Sequence, residues 1–151
     1  MKIYILKHIL ILGILSLLST SIYADSKGVI IVSKDVNIET LTKNELERIF
    51  LGKTTIWKDG KRIQIGLSTY NNEKVNYFFK HYIGKNQRRY KKYWLKLVFA
   101  GYGIAPKIFK DDDKAINFTK NTQGVITFVS TKELESIKDI KIISVDGNLY
   151  F

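Results

Sequence analysis

One stretch constrains the fold more than any other: "LTKNELERIFLGK", Leu41 to Lys53. Thr42 and Glu45 have capping-box spacing, in which the Thr hydroxyl takes the Glu amide and the Glu side chain returns to the Thr amide. Leu41 and Leu46 are spaced as a hydrophobic staple across that cap. Leu46, Ile49 and Phe50 fall on one helical face. Gly52 stands where the helix must stop, at a position that favours left-handed φ. A short amphipathic helix with both ends specified therefore follows from thirteen residues.

The same stretch contains Gly52-Lys53-Thr54, the closing letters of a P-loop. That motif needs a glycine five positions earlier, where Glu47 stands. It also needs a strand before the loop and a helix after it, so that backbone amides face the phosphates. Here the glycine closes a helix, and a helix C-terminus carries the wrong partial charge for phosphate. The expected role is a helix stop leading into a hairpin.

The rest of the chain alternates elements. Val29 to Val32 is a β-branched run suited to a strand buried on both faces. Asp35 to Thr40 reads as a loop. Ile56 to Leu67 reads as a hairpin turning at Asp59-Gly60, with Ile63 and Ile65 alternating with Arg62 and Gln64. Asn71 or Asn72 can cap a helix carrying Val75, Phe78, Phe79, Tyr82 and Ile83, closed by Gly84. Asn86 can cap another with Tyr90, Trp94, Leu97 and Val98 inward, closed by Gly101. Tyr102 to Pro106 reads as extended loop. Asp111 to Asp113 suit the start of a helix that turns Ala115, Ile116 and Phe118 inward. "GVITFV", Gly124 to Val129, is a buried strand; Ser130 and Glu133 repeat the capping box. Ile140 to Val145 is a last strand, with a turn at Asp146-Gly147. Leu149-Tyr150-Phe151 lacks a polar tail and is expected to pack down or touch something. Strands alternating with helices imply an α/β fold, an α+β sandwich with a mixed sheet.

The N-terminus bears on compartment. Lys2 and Lys7 precede the uncharged apolar run Ile9 to Leu18, then small residues and Ala24. That is the pattern of a secretory signal peptide, residues 1–24, cut after Ala24. The run is shorter than the roughly 20 residues a membrane span needs. Residues 25–151 are then one domain, without repeats or linkers. The chain has no cysteine, so a disulfide framework, thiol chemistry and a cysteine zinc site are all excluded. With 25 Lys and Arg against 14 Asp and Glu, the net charge is +11. Such a balance suits anions, anionic membranes or acidic partners. In an exported chain, nucleic acid is not an expected partner.

Catalysis finds no constellation. Beyond the signal, His81 is the one histidine, set in a helix beside Lys80 and Tyr82. No histidine pair has metal-ligand spacing, and Asp111-Asp112-Asp113 lacks the calcium-loop pattern. Nothing groups a nucleophile, a base and an orienting residue, so a non-enzyme without cofactor or metal is expected. "RRYKKYWLK", Arg88 to Lys96, interleaves cations and aromatics. On a helix Tyr90, Trp94 and Leu97 form a core stripe, while Arg88, Arg89, Lys92 and Lys96 form a solvated face that an acidic partner can contact. Ser68, Thr69, Asn71 and Asn72 follow a strand and begin a helix, where free amides and the helix dipole favour an anion. Ordinary N-capping by asparagine accounts for the same residues without a ligand.

"LTKNELERIFLGKTTIWKDG", then "YKKYWLKLVFAGYGIAP", then "GVITFV" and a strand ending "VDG" resemble the phosphate-binding subunit of phosphate ABC transporters. The closer likeness is to small exported substrate-binding-like proteins that carry part of that fold. The resemblance runs from about Val29 to Gly147. It implies a type 2 periplasmic binding protein fold, here as a single lobe corresponding to the family's second. In full-length members an arginine and a Ser-Gly-Thr turn before the helix hold the anion. The corresponding "LSTYNNEKVNYFF" has neither, and offers Ser68, Thr69, Asn71 and Asn72 as neutral donors. The resemblance implies a periplasmic protein that binds a phosphate-like anion in connection with a membrane transporter; a homodimer would supply the half of the cleft that a single lobe lacks. The alternative is an interaction or sensory module that presents the Arg88, Arg89, Lys92 and Lys96 face to a membrane sensor or envelope protein.

Overall fold

A computed structural model describes residues 28–68, 73–130 and 138–150. Six strands are described: β1 Val29–Ser33, β2 Thr40–Leu41, β3 Gln64–Ser68, β4 Lys107–Phe109, β5 Val125–Val129 and β6 Ile140–Val145. They form one sheet in the order β2-β6-β1-β5-β3-β4. β1 runs antiparallel to β5 and β6, whereas β2–β6, β3–β5 and β3–β4 pair in parallel. β1 is thus the one reversed strand of a mixed α/β sheet, as the alternation of elements implied.

Four helices are described: α1 Lys43–Phe50, α2 Glu73–Tyr82, α3 Gln87–Phe99 and α4 Asp112–Asn121. The sheet is covered on both faces, which explains the unbroken apolar strands. Ile30, Val32, Ile126 and Phe128 point into the large core with Leu46, Phe50, Phe78 and Trp94 of α1, α2 and α3. Val29, Ile31 and Val129 point the other way, onto Ala115 and Ile116 of α4.

The capping box forms as the sequence requires. The Thr42 hydroxyl accepts from the Glu45 N–H, and Glu45 Oε2 accepts from the Thr42 N–H at 2.8 Å. Leu41 and Leu46 both enter the core. Gly52 takes φ +66°, and a Schellman pair closes α1: Gly52 N–H to Ile49 O at 2.9 Å and Lys53 N–H to Arg48 O at 2.8 Å. The last carbonyls of α1 are then taken by α3. Tyr90 Oη and Trp94 Nε1 donate to Phe50 O at 2.7 and 3.1 Å, and Tyr93 Oη donates to Leu51 O at 2.7 Å. Helix-end carbonyls lack an intrahelical donor, so three aromatic donors in place of water bind the two helices together. Burial pushes the Tyr90 hydroxyl pKa up, so it remains a donor across the physiological range.

Several expectations are corrected. The hairpin is reduced to one antiparallel bridge, Ile56 to Arg62, around the Asp59-Gly60 turn. Beyond it the chain leaves for the sheet interior, where β3 pairs in parallel on both sides. Its buried residues Ile65 to Ser68 need cover on two faces, which a solvated hairpin cannot give. Thr40–Leu41, within and just after the predicted loop, pairs with β6, and Lys107–Phe109 forms an unpredicted edge strand. Val98 is exposed: at about 100° per residue it lies roughly 80° from Tyr90, outside the Tyr90–Trp94–Leu97 stripe. Phe118 turns toward the sheet as expected, half-buried beside Gly66 and Phe109, with Lys107 Nζ 4.5 Å from its ring centroid. Leu149 and Tyr150 are 46% and 39% exposed. The signal segment, the Asn71 or Asn72 cap, Glu133 of the second capping box, and Phe151 lie outside the described residues.

Asp35, just after β1, binds three parts of the fold. Its carboxylate accepts from the Gly124 N–H at 3.2 Å and pairs with Lys61 Nζ at 3.4 Å. Burial alone would raise its pKa; the Ser33 hydroxyl, the Gly124 N–H and Lys61 outweigh that and hold it below the ordinary value of 3.8. A carboxyl with a lowered folded pKa stabilises above its unfolded value, and the gain is lost as pH falls through the folded value. Asp35→Asn is therefore expected to cost about 1 kcal/mol near pH 7, a modest figure because Lys61 is partly solvated. In urea unfolding across pH, the gap between wild type and variant should be flat down to about pH 5 and narrow below about pH 4. A gap independent of pH throughout would contradict this role.

Candidate functional site

β3, β4 and β5 are parallel, so their C-terminal ends share one edge of the sheet. Along β3, Ile65 and Leu67 face the large core. Strand alternation puts Gly66 and Ser68 on the α4 side. Gly66 shows how close α4 comes: a Cβ there would collide with the Thr127 hydroxyl and meet Phe118 Cδ1 at 3.3 Å. Thr127 in turn accepts from the Thr119 hydroxyl of α4 at 2.9 Å. Thus α4 lies directly over β3 and β5, with its N-terminus toward the Ser68 end.

Ser68 closes β3 opposite Phe109 of β4, and it is 1% exposed. Asp112, three residues beyond Phe109, opens α4, and its Oδ2 accepts the Ser130 N–H at 3.2 Å. Ser130 follows the last residue of β5. The Ser68 and Asp112 side chains and the Ser130 N–H therefore gather where β3 and β5 end and α4 begins. Among the described residues, the buried side-chain polar atoms without a hydrogen-bond partner are two: Ser68 Oγ and Asp112 Oδ1. Both lie at this edge, on the same face. A buried hydroxyl without a partner costs about 1–3 kcal/mol, so the fold leaves two polar groups unsatisfied at this edge.

Of the residues singled out in sequence, Ser68 is at this edge. Thr69, Asn71 and Asn72 lie outside the described residues. Glu73, next along, opens α2. Arg88, Arg89, Lys92 and Lys96 are exposed along α3, on a different element. His81 is exposed and stacks on Tyr77 with ring centroids 4.2 Å apart. Among the described residues no three of His, Asp and Glu group as metal ligands. Sequence reasoning missed the pairing of Asp112 with Ser130. The two are eighteen positions apart, and the acidic run reads equally well as a favourable charge at a helix start.

A concavity lies at the opposite edge. A cleft of about 750 Å³ is bordered by Arg62, Gln64, Trp94, Tyr102, Lys107 and Phe118. Gln64 and Ser68 are the two ends of β3, about 13 Å apart at a strand's rise per residue. A small ligand cannot touch both. Gly52 and Thr54 border this cleft, at the end of α1 rather than at a helix start. No phosphate cradle forms there.

No family model matches the chain, and no curated protein matches it. Solved structures share its fold. An ABC-type phosphate transport receptor from Vibrio cholerae aligns over 80% of this chain and 46% of its own, with TM-score 0.57 and 16% identity. A putative phosphate ABC transporter substrate-binding protein from Clostridium perfringens, with bound phosphate, aligns over 81% and 46%, with TM-score 0.57 and 17% identity. PstS from Borrelia burgdorferi aligns over 81% and 48%, with TM-score 0.55 and 18% identity. The chain thus spans less than half the length of these proteins. It has their fold, as a single lobe of a periplasmic binding protein-like architecture.

Proposed function

We propose that this chain is an exported, non-catalytic substrate-binding-protein-like domain that takes a small protonated oxyanion, phosphate-like, where β3, β4 and β5 end. The observation that carries the reading is the pair of buried, unpartnered atoms, Ser68 Oγ and Asp112 Oδ1, at one edge of this fold. Ser68 can donate to an anion oxygen. Asp112 as a carboxylate can only accept, so its ligand must bring an O–H. Hydrogen phosphate has one near neutral pH, and sulfate does not. Thr69, Asn71 and Asn72, preceding α2, would complete the donor set from the helix start. Export to the periplasm is supported by the basic start and apolar run of residues 1–24, and a transporter connection by the phosphate receptors that share the fold. A non-enzyme is supported by the same neighbours, which are binding proteins. One lobe leaves half of such a ligand open, since a clamp closes between two lobes. A second copy of the chain would supply the other half.

Calorimetry on the chain from Asp25 tests this directly. Saturable heat with phosphate at about 1 mM or below, and none with sulfate, is expected. No heat with phosphate at about 10 mM sinks the proposal. Ser68→Ala gives an internal control. Removing an unpartnered hydroxyl should leave the free protein equally stable or up to about 1 kcal/mol more stable, while weakening phosphate at least about tenfold. Loss of stability in the free protein would mean that Ser68 has a structural partner instead.

The reading as an interaction or sensory module is favoured by a separate observation, the exposed Arg88, Arg89, Lys92 and Lys96 along α3.

A further inference from the structure

From Lys74 to Lys110 the sequence contains ten Lys and Arg and no Asp or Glu. Helix α3 lies within this segment. Its buried stripe is Tyr90 and Trp94. Its exposed side divides along the axis. Arg88, Arg89, Lys91 and Lys92 occupy the N-terminal half, and Leu95, Val98 and Phe99, with Lys96 among them, occupy the C-terminal half. Residues three and four apart share a helix face, so Lys92, Leu95, Lys96 and Phe99 are mutual neighbours. The apolar surface continues into the loop after α3. Phe99 is 87% exposed, Tyr102 77% and Ile104 71%. Single exposed apolar residues are ordinary, but five within ten positions, Leu95, Val98, Phe99, Tyr102 and Ile104, call for a partner.

We infer that the C-terminal end of α3 and the loop through Ile104 form a docking surface for an anionic lipid bilayer. Charge complementarity identifies the occupant. Over thirty-seven residues the sequence carries charge of one sign only. That suits a uniformly anionic, laterally fluid surface better than a protein patch, which would present ion pairs in a fixed register. The apolar side chains protrude, and long lysine side chains flank them. A bilayer interface accepts that arrangement, with aromatic and aliphatic groups at the headgroup–acyl boundary and cations among the phosphates. No helix among the described residues is long and apolar enough to cross a membrane, so the contact lies on the surface. Tyr102 and Ile104 of the patch also line the cleft, at the edge away from Ser68. A bilayer and an anion at Ser68 can therefore be held together, and failure of either leaves the other standing.

Co-sedimentation with sucrose-loaded vesicles tests this on the chain from Asp25, which contains every described element of the fold. Vesicles of phosphatidylcholine with about 30% phosphatidylglycerol are expected to bind at least about tenfold more tightly than phosphatidylcholine alone. Raising salt from about 0.05 to 0.5 M should remove most of that gain. The triple variant Phe99→Ser, Tyr102→Ser and Ile104→Ser should keep its circular dichroism and lose at least about tenfold in vesicle affinity. Lys91→Gln with Lys92→Gln and Lys96→Gln should abolish the preference for phosphatidylglycerol. Equal binding to both vesicle types overturns the inference, as does wild-type affinity in the apolar triple variant. Binding to polyglutamate without binding to vesicles overturns it in favour of an acidic protein. A dimer in light scattering that the apolar variant dissociates overturns it in favour of a second copy.

Discussion

Trp94→Ala should lower the unfolding free energy by about 3–5 kcal/mol, the range for deleting a buried aromatic side chain. Trp94 is 5% exposed and packs between α1 and the loop after α3. Its ring fills the space above Gly52, where a Cβ would lie 2.6 Å from Trp94 Cη2. Its indole N–H takes Phe50 O, one of the carbonyls left over where α1 ends. Truncation opens a cavity and removes that donor together. Trp94→Phe should recover most of the packing and none of the hydrogen bond, for a loss of about 1–2 kcal/mol. Denaturant unfolding at constant m-value reads both. Equal losses in the two variants would mean that the carbonyl, rather than the packing, dominates.

Gly124→Ala should be of similar size, about 2–5 kcal/mol, for a different reason. Gly124 has φ +70°, which costs an L-residue about 1–2 kcal/mol. A Cβ there would also collide with the Arg62 carbonyl oxygen, and backbone cannot rotate away as a side chain can. Three partners meet at this residue. Its carbonyl accepts from Trp57 Nε1 at 2.9 Å and from the Gln64 N–H at 3.0 Å, and its N–H donates to Asp35. A shifted backbone would weaken all three. Since a domain is stable by about 5–15 kcal/mol in total, either Gly124→Ala or Trp94→Ala could leave the chain partly unfolded at 37 °C. A Gly124→Ala protein with an unchanged midpoint would contradict the close approach of Arg62.

These two sites explain what the sequence could disclose. The capping box of α1, the Gly52 stop, the Asn86 cap and the apolar strands are local patterns, and each was legible because neighbouring residues decide it. Long-range pairing was not. β2 is two residues long and acquires its partner from Ser144 and Val145, about a hundred positions away. β4 is a three-residue edge strand whose Lys-Ile-Phe carries no alternation worth reading. The hairpin at Asp59-Gly60 misled because the turn is real, while Gln64 is captured by Gly124 immediately after it. Ser68 could be singled out from its position between a strand and a helix. That its hydroxyl is buried without a partner, and that Asp112 shares the same edge, depends on the parallel order of β3, β4 and β5. Nothing local encodes that order.

The anion site at the end of β3 is the central claim, and an amide-resolved NMR titration of the chain from Asp25 tests it most directly. With phosphate, the amides of Ser68, Phe109, Asp112 and Ser130 should shift saturably, and equal sulfate should leave them in place. The amides of Trp94 and Gly103, at the far cleft, should be unmoved by either anion. No shift with phosphate, or shifts confined to Trp94, Gly103 and Lys107, would contradict the site.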